Sequence, residues 1–360
     1  RMEGFLMIAH MAAFFVITAT VFRGREWKIF SHLVLLGSVG VSLYGLLQQL
    51  GYVLSLQGGN RVEGTIGNPT YLAAYLMLAI TVALVLFAIT EKRWLRYLYA
   101  AGALFELLII YFSATRGAVI AIIGGLAVFA AVFLWLSRAN AGHKTARKIA
   151  LGTLIVALVV PLFFWSIRTT EFVTSRPALK RLTSISLTSQ TIESRMLIWR
   201  MALKGIRERP ILGWGQENFN LIFNKYYHPR LWQQEPWFDH SHNVVLDWLS
   251  HAGILGLVSY LSLFAALFYA LVRLYVRSRI SLLTFSIATA GALAYFVQNL
   301  FVFDNFNTYF IFFGALAFMH GYAFQWGVLP TEKRLSGKDQ SFGASLIILI
   351  LALIVGIVAG

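Results

Sequence analysis

Apolar residues fill this chain in long runs, and its polar residues gather in the gaps between them. A hydrocarbon core about 30 Å thick needs about 17 to 25 mostly apolar helical residues. Ten runs of that kind occur, near 4–22, 29–50, 69–90, 97–113, 117–137, 149–167, 243–272, 280–302, 308–328 and 343–360. They predict an all-α, polytopic integral membrane protein of about ten transmembrane helices. Six N-terminal helices occupy 1–167 and four C-terminal helices 243–360, with a large extracytoplasmic loop containing short helices over 168–242.

Composition supports this and sets an orientation. The 360 residues are 58% hydrophobic and 12% charged, against roughly 25% charged in a soluble domain, which excludes a water-soluble globule. With 30 Lys+Arg and 15 Asp+Glu the net charge is +15. The gaps at 23–28, 91–96, 138–148, 273–279 and 329–342 hold sixteen cations and four acids, so they carry +12 of that excess. They alternate with the remaining gaps, and the positive-inside rule places all five in the cytoplasm. Both ends of the sequence then lie outside, and its start at Arg1, close to an apolar run, reads as a fragment of a longer protein. Without cysteine there is no disulfide, thiolate nucleophile or Cys-based metal site.

The outward stretch 168–242 is too long and too aromatic for a plain connection, and it is the expected active-site module. Within it, 191–208 has the pattern of an amphipathic helix with Thr191 as a candidate N-cap. Arg200, Lys204 and Arg207 form a basic face, the ordinary signature of a solvated or headgroup-facing surface. Arg195 instead aligns with Trp199, Ala202 and Ile206 on the apolar face. A cation there needs an anionic partner, an ion pair or a route to water. Arg116, in Ser113-Ala-Thr-Arg-Gly117, opens a predicted helix, where the dipole disfavours a cation but where an anion would meet both the arginine and free N–H groups. An interfacial arginine reaching lipid headgroups is the alternative. Arg61 lies in a glycine-rich outward loop, Gly58 to Pro69, a weak signal for ligand approach.

Phe238-Asp-His-Ser-His-Asn243 closes the long stretch. His242 is expected at a helix N-terminus, capped by Ser241 or Asp239, where a neutral imidazole can act as a general base. A structural hydrogen bond is one alternative. A metal held by Asp239, His240 and His242 is another. Glu106, inside the fourth predicted span, is read as a buried hydrogen-bonded group or a proton relay. Gly213-Trp-Gly215-Gln-Glu-Asn218 lacks the third glycine and the βαβ context of a dinucleotide fingerprint and is read as a turn.

Taken in order, these pieces resemble the O-antigen ligase and polymerase superfamily of bacterial envelope glycosyltransferases. The likeness runs over roughly residues 55–315. It is carried by Arg61-Val-Glu-Gly-Thr-Ile-Gly-Asn-Pro69, by Ser113-Ala-Thr-Arg-Gly117, by Arg195-Met-Leu-Ile-Trp199 and Pro210-Ile-Leu-Gly-Trp-Gly215, and by His242-Asn243 with Leu246 and Gly253-Ile-Leu-Gly256.

The resemblance implies transfer of a glycan from an undecaprenyl-diphosphate carrier to an acceptor on the outer side of the inner (cytoplasmic) membrane, with no cofactor and no metal. The acceptor would be a lipid core, a growing glycan or a protein. Arg116 and Arg195, with Arg61 less directly matched, would hold the diphosphate, and His242 would deprotonate the acceptor hydroxyl. Asp239, Asn243, Trp199 and Arg200 would support them. The competing class is a transporter or flippase for a lipid-linked sugar. Such proteins tend to show internal repeats and broken helices near the midplane, and the sequence shows neither a repeat nor a symmetric Gly/Pro interruption. A scaffold or sensor would not need cations on apolar faces.

Overall fold

A computed structural model describes residues 4–55, 61–138, 144–183, 190–232 and 237–325. In chain order its helices are α1 (Phe5–Val21), α2 (Gly24–Gln49), α3 (Pro69–Ile89), α4 (Arg93–Ser113), α5 (Arg116–Ser137), α6 (Lys144–Ser166), α7 (Glu171–Thr174), α8 (Pro177–Thr183), α9 (Gln190–Glu208), α10 (Phe219–Lys225), α11 (Val244–Val276), α12 (Leu282–Asn299) and α13 (Phe306–Gln325). The described residues contain no strand.

Seven described helices, α2 to α6, α11 and α12, are long and apolar enough to cross a membrane. With α1, shorter but apolar, and α13, whose sequence includes Asn307, Thr308 and His320, nine of the ten expected runs are helical where described. The run at 343–360 lies outside the described residues. The protein is an all-helical, polytopic membrane protein. Water excludes exposed apolar side chains from most soluble surfaces, but lipid does not. Accordingly α6 exposes Leu151, Ile155, Leu158, Leu162 and Phe163.

The chain divides into two compact units. One comprises 22–186 and 274–302 and contains α2 to α8 and α12. Its interior is Leu72, Leu76 and Met77 of α3, Ile109 and Ile110 of α4, Ala118 and Ala121 of α5 and Ala294 of α12, with Val62. Small residues allow helices in lipid to pack backbone to backbone. Here Gly125 of α5 approaches α12 so closely that an added Cβ would lie 3.0 Å from the Ala294 methyl. Glu106 of α4 is buried and accepts a hydrogen bond from Ser38 of α2, in keeping with the hydrogen-bonded reading of that carboxylate.

The other unit comprises 1–21, 187–273 and 303–360 and contains α1, α9 to α11 and α13. Its outer part has a small core of its own, in which Ile198, Met201 and Ala202 of α9 pack on Phe219, Ile222 and Phe223 of α10, together with Leu231 and Phe238. The amphipathic stretch thus buries its apolar face against protein.

One expected span is corrected. The run 243–272 reads as a single helix, but α11 is two helical pieces joined at Gly253, whose φ of 63° and ψ of −160° are not helical. The break frees backbone groups, and the segment that follows α9 takes them up. Trp214 N–H donates to Ser250 C=O (2.8 Å), Gly215 N–H to His251 C=O (2.9 Å), and Ile254 N–H donates to Pro210 C=O (2.9 Å). Gly213-Trp-Gly215 is therefore a turn as read, with φ of 70° and 94° at its glycines, and it docks on the broken helix. A helix of 33 residues at 1.5 Å per residue would be about 50 Å long, well beyond the hydrocarbon core. After the break, Ile254–Val276 still suffices to span, while the short first piece carries polar residues.

This packing has a direct test. A Cβ at Gly253 would lie 2.2 Å from the Ile211 carbonyl oxygen, in a backbone conformation that is essentially restricted to glycine. Gly253→Ala is expected to cost about 3 kcal/mol or more from strain and overpacking, read as a lowered unfolding temperature in detergent. Gly152→Ala, with open space around its Cβ, should show no loss. Equal melting of the two variants would contradict the docking.

Candidate active site

In the unit containing α9 and α11, the segment before α11 is pinned at a single residue. Ser241 is fully buried. Its N–H donates to Asp247 Oδ1 (2.6 Å), and its carbonyl accepts the Trp199 indole N–H of α9 (3.1 Å). Ser241 Oγ also donates to the Asn243 carbonyl (3.1 Å). The N-terminal residue that caps α11 is Asn243, whose Oδ1 accepts from the N–H groups of Val245 (3.0 Å) and Leu246 (3.2 Å). This corrects the expectation that Ser241 or Asp239 would cap. Asn243 can do so because its short amide reaches the first free N–H groups of the helix.

Between the pinned Ser241 and the capping Asn243, His242 is held with φ of 56°. A left-handed backbone is uncommon for a residue with a side chain and persists only where its surroundings enforce it. Here they include aromatic rings. The imidazole stacks on Phe303 (centroids 5.4 Å, 7°) and meets Phe238 edge-on (5.5 Å, 74°). Burial pushes its pKa down to about 4, with the charge of Arg195 acting in the same direction. The ring is therefore uncharged near neutral pH.

Arg195 lies near enough to influence that ring. Its own pKa is lowered by burial, as its alignment with Trp199 and Ala202 on the apolar face implies. No carboxylate pairs with it among the described residues. A buried guanidinium without a counter-ion is unfavourable unless an anion comes to it. Arg200 is placed differently. It is exposed and, with Lys204, Arg207, Tyr226 and His228, lines a separate cavity of about 350 Å³ on the basic face of α9.

Asp239 is exposed and does not join His240 and His242 in a donor cluster. Among the described residues, the groups that converge are His240, Asp247 and His251, whose ligand atoms lie within 4.8 Å of one another. Sequence reasoning passed over Asp247 and His251. Their signal was the i, i+4, i+8 spacing of Asn243, Asp247 and His251 at the start of an otherwise apolar span, a polar stripe on one helix face.

The other unit gathers arginines. Arg61 donates from Nε to the Ser113 carbonyl (2.9 Å) and from Nη2 to Thr115 Oγ1 (3.1 Å), and so braces the turn that ends at Arg116. Ala114 turns that corner with φ of 49°. Arg116 opens α5 and donates from Nε to the Arg181 carbonyl (2.7 Å). Arg181, not singled out from the sequence, adds a third charge. The pKa of Arg61 is lowered to about 10, by burial first and then by the charges of Arg181 and Arg116. Three like charges held at the N-terminal end of a helix produce a local field suited to a multiply charged anion.

No curated protein matches the chain. Residues 101–261 match the Wzy_C family model, described as O-antigen ligase. The match takes in Arg116, Arg195, His242 and Gly253. Over these residues the chain is similar to the O-antigen ligase family.

Proposed function

We propose that the protein transfers a glycan from an undecaprenyl-diphosphate carrier to an acceptor hydroxyl, on the extracytoplasmic side of a bacterial inner membrane. The observation that carries this reading is the pairing of a half-buried Arg195, with no carboxylate partner among the described residues, with His242 on a pinned segment, within the part of the chain that matches the family. The outward placement is supported by the cation-rich gaps on the opposite side of the predicted spans.

In this reading the neutral His242 imidazole accepts the proton as the acceptor oxygen attacks the anomeric carbon. The bond from that carbon to the phosphate oxygen breaks, and the diphosphate departs with its electron pair. A single displacement of this kind inverts the anomeric centre. The leaving group gathers negative charge, and fixed guanidinium groups in a water-poor site stabilise it without having to reorganise. We assign that role to Arg195, which lies in the same unit as His242; for Arg116 and Arg61 it is proposed on the family resemblance alone. Trp199, Asn243 and Asp247 act by holding the peptides on either side of His242. Arg200, facing its own cavity, is better suited to contacts away from the leaving group. The acceptor decides between ligase, polymerase and protein transferase, and it is read from the product: a single glycan on a lipid core, a ladder of repeats or a modified protein.

Two variants test the assignment in an assay with purified protein and an undecaprenyl-diphosphate glycan. His242→Ala should lower transfer by about 10²- to 10⁴-fold while leaving donor binding within a few-fold. Undiminished transfer would remove the general base. Arg195→Ala should lower turnover by about 10²- to 10³-fold, with Arg195→Lys recovering only part of it because a lysine is a point charge without the planar fork. Full activity of Arg195→Ala would show that the leaving group is held elsewhere.

A further inference from the structure

The geometry points to a site for one divalent metal ion, zinc in the first instance, built from His240, Asp247 and His251. This inference does not rest on the transferase reading, and the ion's role is to brace the segment that carries His242.

The donors are of the right kind, and Asp247 and His251 each keep an unsatisfied atom. His240, Asp247 and His251 are all buried. Asp247 divides its two oxygens: Oδ1 accepts the Ser241 N–H, while Oδ2 has no hydrogen-bond partner among the described residues. His251 Nε2 likewise has none. His240 Nδ1 lies 3.4 Å from Asp247 Oδ2. Two ligands at about 2.0 to 2.1 Å from a tetrahedral zinc are themselves separated by about 3.3 Å, so this pair already has the required spacing. All three ligand atoms fall within 4.8 Å of one another, and closure asks for a shift of at most about 1.5 Å in the widest pair.

The surroundings fit a single ion. The three side chains line a cavity of about 20 Å³, together with Gln216 and Asp304, large enough for one water-sized occupant. Asp304 is buried and accepts a hydrogen bond from Tyr260 OH (2.9 Å). A further position on the metal is open to water or to one of these oxygens. Two imidazoles and a carboxylate suit zinc, whose sites commonly combine such ligands. The outer contacts also match a metal centre, because the free side of the ligating carboxylate is hydrogen-bonded to a backbone N–H and His240 stacks on Phe303 (centroids 3.7 Å, 15°), which fixes its ring plane. A hydrogen-bonded His-Asp pair is the competing explanation. It accounts for His240 and Asp247 but leaves His251 Nε2 unanswered.

The test uses the whole chain purified in detergent without chelator. Multi-element mass spectrometry should find about one zinc, or another first-row divalent ion, per chain. After stripping with a chelator, added zinc should raise the unfolding temperature by several degrees. That shift should vanish in His251→Gln and in Asp247→Asn, the latter keeping an oxygen for the Ser241 N–H. If either variant fails to fold, the metal content and zinc response of the unmodified chain stand as the measurement. A chain that holds no metal as purified and shows no zinc-dependent shift after stripping overturns the site. A zinc response unchanged in both variants also overturns it, by locating the ion elsewhere. None of these readouts depends on glycan transfer, so loss of the site and loss of the transferase reading remain distinguishable.

Discussion

The break in α11 at Gly253 is the constraint on which the outer part of this protein depends. An uninterrupted helix would satisfy its own backbone and offer nothing to its surroundings. The break turns Ser250 C=O, His251 C=O and Ile254 N–H outward, and the Pro210–Gly215 segment fills each of them. That docking ties the end of α9 to α11. The first piece of α11, relieved of spanning the bilayer, can then carry Asp247 and His251. Asp247 accepts from the N–H of Ser241, Trp199 of α9 donates to the carbonyl of the same residue, and His242 is left between Ser241 and the capping Asn243.

The consequence for chemistry is preorganisation. A base works best when its position is settled before the substrate arrives, because reorganisation during the reaction adds to the barrier. His242 is settled in a conformation that side-chain-bearing residues rarely adopt, between Phe303 and Phe238. Arg195 is likewise fixed on the apolar face of a helix that buries Ile198, Met201 and Ala202. In the other unit, Arg61 spends its donors on the Ser113–Thr115 turn and so fixes the start of α5. Arg61 and Arg116 are each anchored by a hydrogen bond to a backbone carbonyl, of Ser113 and Arg181 respectively.

Much of this was legible in the sequence, and the remainder was illegible for physical reasons. Helices declared themselves through length and hydropathy because lipid leaves the backbone few other solutions. Arg116 and Arg195 stood out because each occupies a position that local energetics disfavour. The break at Gly253 could not be read, since a glycine inside an apolar run is common in membrane helices and the groups that compensate it lie about forty residues earlier. Asp247 and His251 were masked by the hydropathy of the run around them. Arg181 looked like one more surface cation, and only the fold brings it to Arg116. The cap on α11 was misassigned by two positions or more because Ser241, Asp239 and Asn243 are all competent, and the choice among them is made by Asp247 and Trp199, which fix Ser241 in another role.

The central claim is a single displacement in which His242 takes the acceptor proton and arginines receive the departing diphosphate. The anomeric configuration of the newly formed glycosidic bond, determined by nuclear magnetic resonance on product made with a donor of known configuration, tests it most directly. The account predicts inversion, with diphosphate released on the lipid. Retention of configuration would require a two-step route in which a side chain attacks the anomeric carbon before the acceptor does, and it would contradict the account.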